Sequence, residues 1–379
     1  MKITEKADLY MADAYKRSSL AIVSGHGAIA VGEDGSEYID MGSGISVNAF
    51  GYSDEELAQA VYKQMTTLTN TSNIYYTEPQ AQLAQWLCEK TGMKKVFFSN
   101  SGAEANECAI KAARKYSADK YGDSSARKTI VSLENSFHGR TLATLAATGQ
   151  ESMHTSFGPF PDGFRYAKPN SISSIKEAFS DGSACALILE VVQGEGGVAP
   201  LDLSFVQQAE EEAKARDILF IIDEIQSGNG RTGTLFAYEQ YGCSPDVVTT
   251  AKALGGGLPI GATLFSEKTK NVLSKGSHGS TFGGNPICCA AALSVAARLT
   301  DSLFNEVREK GQYIRSELEG LNGVEAVTGI GLFIGVKTVR PAGEIMEELQ
   351  SEGVLALTAK DRLRLLPPLN IPMDILKKA

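Results

Sequence analysis

Between residues 95 and 285, short apolar runs alternate with longer stretches whose apolar positions recur every three to four residues. KKVFFSN, TIVSLEN, ALILEVV, ILFIID and DVVTT predict buried strands, and AEANECAIKAARKY and SFVQQAEEEAKAR predict helices between them. Glu107 and Lys111 add a favourable i, i+4 pair to the first helix. This alternation predicts an α/β fold, with a mostly parallel central sheet and helices on both faces. Upstream, AIAV and EYIDM flank Asp34-Gly35 and predict a β-hairpin with a two-residue turn. Beyond Pro286 the pattern changes to one long helix, from about Ile287 to Leu318. Strand-like VEAVTG and GLFIGVKT follow, then a helix near Ala342–Glu352 and strand-like LRLLPP. A chain of 379 residues is too long for one simple core. The change of pattern places a large domain over residues 48–286 and a smaller α+β domain over 1–47 and 287–379.

Composition narrows the function mainly by exclusion. The formal net charge is −9 with no long basic run, which argues against a nucleic-acid or anionic-membrane surface. Six cysteines form no C-x-x-C pair and no metal-ligand spacing, so they read as reduced thiols. The start, MKITEKADLY, lacks an apolar signal core, and no run approaches the roughly 18 apolar residues of a membrane span. Cytoplasmic localisation is the expectation.

Ligands of an open parallel sheet bind beyond the carboxyl ends of its strands, so the residues just after each apolar run carry the information. Asn100-Ser101-Gly102-Ala103 opens a helix whose free N–H groups suit a phosphate; a serine helix cap accounts for the same residues. Asp223-Glu224 ends ILFII, and a buried carboxylate there calls for a cationic partner, a magnesium ion or a helix N-terminus. Lys252 lies between DVVTTA and Leu254-Gly255-Gly256-Gly257. Desolvation at such a place lowers a lysine pKa and makes the amine a nucleophile toward an aldehyde, although most lysines are surface charges. Gly228-Asn229-Gly230-Arg231-Thr232-Gly233 spells a dinucleotide fingerprint without its strand spacing, and reads instead as a glycine-rich active-site loop. Ser277-His278 is adjacent in sequence only, which a catalytic pair does not require.

SNSGAEANE, SFHGRT, VVQGEGG, IIDEIQSGNGRTG, AKALGGGLPIGA and GSTFGGNP, in this order, resemble the class III (ω-) aminotransferases among the fold-type-I pyridoxal-phosphate enzymes. Within that family the acetylornithine aminotransferases are the most similar in pattern. The resemblance covers nearly the whole chain. It implies a large domain that binds pyridoxal 5'-phosphate, with Lys252 holding the cofactor as a Schiff base and then moving the proton. It implies Asp223 against the pyridine N–H, Phe137 stacked on the ring, and Gln226 near the phenolic oxygen. It also implies Ser101, Gly102 and Ala103 around the phosphate. Thr281 is similar to a residue that reaches the neighbouring subunit's phosphate, which implies a homodimer with composite sites.

Substrate choice follows from the same resemblance. Arg140 resembles the arginine that holds the carboxylate farthest from the reacting amine, since a planar guanidinium grips a carboxylate through two bonds. Arg364 resembles the arginine for the α-carboxylate of glutamate or 2-oxoglutarate, Glu195 the carboxylate that masks it, and Ser280 a substrate contact. Structural ion pairing is the plainer reading of Arg140, Glu195 and Arg364. Gly44 stands where relatives acting on free ornithine resemble a tyrosine site, which favours N-acetylornithine; succinylornithine and other ω-amines fit similar motifs. GYSDEE departs from the family's histidine-rich turn, and the chain stops soon after Pro372, which implies a short terminal helix.

Overall fold

The computed structural model describes residues 1–379. Its centre is a seven-stranded sheet in the spatial order Lys95–Ser99, Gly261–Phe265, Val247–Thr250, Leu219–Asp223, Ala184–Leu189, Thr129–Leu133, Phe164–Ala167. The last five run parallel to one another, and only Gly261–Phe265 pairs antiparallel on both sides. Side chains alternate between faces along a strand, and both faces here are apolar. Leu219 and Ile221 join Ala186, Ile188 and the helix residues Cys108, Ala109, Ala112 and Ala113 on one face. Phe220 and Ile222 join Leu187, Leu189 and the helix residues Phe205, Val206, Ala209 and Ala213 on the other. The strands therefore read as continuous apolar runs because the helices Gly102–Tyr121 and Leu203–Ala215 cover opposite faces. The strands Phe164–Ala167 and Gly261–Phe265 had no sequence signal of their own: each is short and flanked by loop residues.

Two four-stranded sheets accompany the centre. One joins Ile22–His26, Ile29–Gly32 and Glu37–Asp40 to the distant Val354–Leu355; the other joins Val324–Ile330, Phe333–Thr338, Arg362–Leu365 and Leu357–Ala359. The expected hairpin forms, but its turn is longer than two residues. Gly32 N–H bonds to Ser36 O at 2.9 Å, leaving Glu33, Asp34 and Gly35 in the loop. Gly35 takes φ +83°, the left-handed position that closes three-residue hairpin loops. The long helix expected after Pro286 is two helices, Pro286–Ala296 and Asp301–Leu318, bent by 73°. Thr300 caps the second by accepting from Leu303 N–H at 3.3 Å, so the chain restarts rather than continues. The first packs on Glu55–Thr67 and Glu78–Thr91. In the divergent GYSDEE turn, Asp54 caps the helix Glu55–Thr67 and pairs with Arg298 at 2.7 Å, so the loop closes by other means. The chain ends in a six-residue helix, Met373–Lys378. No single helix is long and apolar enough to cross a membrane.

Candidate active site

A cavity of about 430 Å³ opens at the carboxyl ends of the parallel strands. The sheet delivers its walls from several points in sequence: Ser101–Ala103 after Ser99, Phe137–Arg140 after Leu133, Asp223, Ile225 and Gln226 at the end of the ILFII strand, and Lys252 after Thr250. Of the residues singled out in the sequence, Ser101, Gly102, Ala103, Phe137, Arg140, Asp223, Gln226 and Lys252 line it together.

The helix cap foreseen at Ser101 forms. Ser101 lines the cavity, and its Oγ accepts from Glu104 N–H at 3.2 Å as the cap of a 20-residue helix. That helix presents its positive end to the cavity. A Cβ on Gly102 would stand 2.8 Å from the Ile225 side chain, so only glycine lets the helix start approach this closely.

Asp223 is buried at the tip of its strand. Its Oδ2 accepts from Asn106 Nδ2 and lies 2.8 Å from His138 Nδ1, while Oδ1 accepts from Ile225 N–H at 3.0 Å. The imidazole is a donor there when its proton sits on Nδ1. Asn106 is held in turn, donating to His138 O and accepting from Thr249 Oγ1, both at 2.8 Å. These groups orient the carboxylate. Asn106, His138 and Thr249 escaped the sequence reading. The available signal was one polar residue, Asn106, on a helix face otherwise made of Ala109, Ile110 and Ala113.

Lys252 has φ +46°, the uncommon left-handed region, at the start of a short 3-10 turn. Burial lowers the pKa of its amine, Asp223 and Glu195 oppose that shift, and Arg364 reinforces it. The amine is thereby moved toward its nucleophilic neutral form.

Arg364 is buried, and its Nη1 donates to Glu195 Oε1 at 2.5 Å and to Gln226 Oε1 at 3.3 Å. Gln226 thus joins this pair to the cavity wall, which neither Arg364 nor Glu195 lines. Arg364 Nε has no partner in the chain. Arg140 is exposed at the cavity wall with its guanidinium 5.5 Å from the Phe137 ring centre. Phe137 N–H donates to Glu190 Oε2 at 3.0 Å. Glu190 is buried, and its pKa is raised well above the carboxylate range by desolvation and then by Asp223.

Three residues fall elsewhere. Ser280 and Thr281 line a separate depression shared with Asn100, Glu104 and His278, where Ser280 Oγ accepts from Asn100 Nδ2 at 3.1 Å. Gly44 lies in a left-handed turn, Ser43–Ser46, with φ between 47° and 64°, and it is Val47, just after the turn, that lines the cavity. The Gly228–Gly233 loop contributes nothing to the cavity wall. It lies instead against the C-terminal part of the chain, with Gly230 facing Leu299, Phe304 and Leu369.

Glu224, beside Asp223, points away from the cavity to accept from Ser227 Oγ at 2.6 Å and Tyr238 N–H at 2.8 Å. Burial raises its pKa to about 7, against 4.5 for a free glutamate. A carboxyl raised on folding stabilises the fold below its unfolded pKa and loses that contribution as pH rises through the folded value. Relative to the wild type, Glu224→Gln should therefore gain on the order of 3 kcal/mol between about pH 4 and about pH 8. Unfolding midpoints across that range test this; a difference independent of pH refutes it.

The class-III aminotransferase family model matches residues 10–379. The acetylornithine aminotransferase of Haemophilus ducreyi is 49% identical over 371 residues, covering 97% of this chain and 94% of that one. The N-acetylornithine aminotransferase structure from Stenotrophomonas maltophilia superposes with a TM-score of 0.86 at 33% identity, covering 99% of this chain and 96% of that one. An ornithine aminotransferase structure from Toxoplasma gondii, described with pyridoxal phosphate partially occupying its active site, gives a TM-score of 0.93 at 28% identity, covering 99% and 91%. With a lysine, a buried aspartate and a helix N-terminus meeting in one cavity of the matching fold, the chain belongs to the class-III aminotransferases.

Proposed function

We infer that the protein transfers the δ-amino group of N-acetylornithine to 2-oxoglutarate, giving N-acetylglutamate 5-semialdehyde and glutamate, as in arginine biosynthesis. Relatives named for this activity support the substrate assignment, one of them 49% identical over almost the whole chain. The observation that carries the reading is the pair of the buried Arg364 with Glu195, joined through Gln226 to the Lys252 cavity.

The cavity suits pyridoxal 5'-phosphate. The helix N-terminus at Ser101–Ala103, closed so tightly that Gly102 admits no side chain, would hold the phosphate. Asp223 would face the pyridine nitrogen, Phe137 the ring, Gln226 the phenolic oxygen, and Lys252 Nζ the aldehyde carbon. When bound, the cofactor supplies an electrophilic carbon and a cationic ring that draws electrons from the substrate.

The chain's own groups then divide the work. Lys252 Nζ, with its lowered pKa, would take the proton from the amine-bearing carbon and deliver it to the cofactor's former aldehyde carbon. Asp223, oriented by Asn106 and His138, holds the opposite charge where the ring needs it. Arg140 grips the distal carboxylate of the acetylated substrate. While that substrate is bound, Glu195 neutralises Arg364; when glutamate or 2-oxoglutarate arrives, Glu195 withdraws and Arg364 receives the α-carboxylate. A buried guanidinium needs an acidic partner in one half-reaction and a substrate carboxylate in the other.

Rapid mixing of the yellow holoenzyme with N-acetylornithine, and separately with ornithine, tests the assignment. Faster bleaching with the acetylated compound supports it, whereas equal or reversed rates shift it to ornithine or another ω-amine such as succinylornithine. Glu195→Ala should raise the KM for N-acetylornithine relative to that for glutamate by about tenfold, one charged contact's worth. An unchanged ratio of the two KM values removes the masking role.

We also propose a homodimer with composite sites. Thr281 is exposed and outside its own chain's cavity, beside an exposed Phe282, and Asn73, which precedes the exposed Ile74, Tyr75 and Tyr76, donates to Ser280 O and Gly283 O; this supports a partner covering this face. Ser280 would contact substrate from the same loop. Large and small domains over 48–286 and over 1–47 with 287–379 fit the separate sheets. Six unpaired cysteines favour a reducing, cytoplasmic compartment.

A further inference from the structure

Arg231 is the largest fully buried side chain of the molecule, and no carboxylate pairs with it. Burial without an acidic partner lowers its pKa. Its acceptors are Ser46 Oγ, 2.8 Å from Nε, and the main-chain oxygens of Leu332 and Pro367, 3.1 and 2.6 Å from Nη1. Arg231 O in turn accepts from Leu332 N–H at 3.0 Å. Nη2 is buried without a partner. A cation is costly to bury in this way, and an apolar side chain would fill the same volume more cheaply. A role in placing other groups accounts for its presence.

Two of the acceptors, Ser46 and Pro367, lie on segments that lead to the substrate region. Ser46 ends the left-handed turn Ser43–Ser46, which contains Ile45, a β-branched residue at φ +61°. Such a turn persists only where its surroundings hold it. Asp40 Oδ1 holds its start by accepting from Gly42 N–H and Ser43 N–H at 2.7 and 2.9 Å, and Arg231 holds its end. The next residue, Val47, lines the cavity. Pro367 follows the strand Arg362–Leu365, which carries Arg364. The two segments run side by side, with Leu366 N–H donating to Met41 O and Leu369 N–H to Ala49 O, at 2.6 and 2.8 Å.

We propose that Arg231 is a positioning residue for the dicarboxylate substrate: its guanidinium clamps the Val47 turn to the Arg364 segment, setting the distance between cavity wall and α-carboxylate site. This rests on the reading of Arg364 as that site. The planar fork matters as much as the charge, since the acceptors divide between Nε and Nη1, two separate nitrogens that one ammonium nitrogen cannot replace.

The test compares Arg231→Met, Arg231→Lys and Ser46→Ala holoenzymes with Arg364→Ala as reference. Measured for each are the KM for glutamate, the KM for N-acetylornithine, and cofactor affinity by titration of the apo-protein. Misplacing Arg364 by about 1 Å should raise the KM for glutamate by about 10-fold to 100-fold in Arg231→Met, with the KM for N-acetylornithine and cofactor affinity changed far less. Arg231→Lys should be intermediate, and Ser46→Ala, which removes one acceptor, smaller in the same sense. If Arg231→Met fails to fold, the other two variants carry the test. Equal increases in both KM values, weakened cofactor binding of similar size, or no change in Arg231→Lys and Ser46→Ala overturns the positioning role. If Arg364→Ala itself leaves the KM for glutamate unchanged, the underlying reading of Arg364 fails instead.

Discussion

Lys252→Ala should lower transamination by at least about 10⁴-fold while leaving the fold intact. Lys252 is the only lysine among the 18 residues lining the cavity, so no neighbouring amine can take over its proton transfer. Its burial already disfavours the charged form, and removing it leaves no stranded partner of the kind that makes buried deletions destabilising. Asp223 keeps its bonds to Asn106, His138 and Ile225 in the variant. The unfolding midpoint should stay level or rise slightly. Single-turnover absorbance with N-acetylornithine, together with thermal unfolding, measures both quantities. Residual turnover within about 100-fold of the wild type would mean that another group moves the proton.

Asp223→Asn should lower kcat by about 10²- to 10³-fold, the usual loss when one oriented electrostatic contact to developing charge is removed. The isosteric amide replaces one acceptor oxygen by a donor, which faces either Asn106 Nδ2 and His138 Nδ1 or the Ile225 N–H. A donor so faced must turn away or, at His138, change tautomer, and the charge opposite the ring nitrogen disappears. The loss should appear in kcat more than in KM, because Asp223 acts on the transition state and the substrate carboxylates bind elsewhere. Phosphate-site binding at Ser101–Ala103 should persist, so the variant still takes up cofactor. A kcat within about tenfold of the wild type would show that the Asp223 carboxylate contributes little to the charge balance.

The central sheet was legible because its strands are apolar on both faces. Leu219 through Ile222 face two different helices in turn, and that environment leaves an uninterrupted run such as ILFII in the sequence. The short strands Phe164–Ala167 and Gly261–Phe265 left no such mark, because their pairing comes from neighbours already in place. The break at residues 297–300 was hidden for a related reason. RLT continues a helical pattern, and only the Thr300 cap and the packing of the preceding helix on Glu55–Thr67 end it.

The candidate site divides along the same line. Lys252, Asp223 and Ser101–Ala103 stand at or just after the ends of apolar strands, where any open parallel sheet gathers its ligand contacts, so position marked them as candidates and their combination gave them meaning. Asn106, His138, Glu190 and Arg231 act through hydrogen bonds to residues tens or hundreds of positions away, such as Asn106 to Asp223 and Arg231 to Pro367. No local pattern records such a bond, since its partner is chosen by packing. The amino-acid order by itself determined the strand–helix alternation, the strand-end chemistry and the family, because periodicity and motif are properties of neighbouring residues. Only the tertiary structure decided which polar groups orient Asp223, that Arg364 meets Glu195 beside Gln226, and that Arg231 lies buried between three segments. Those arrangements depend on distances between remote parts of the chain, which are set when the core closes.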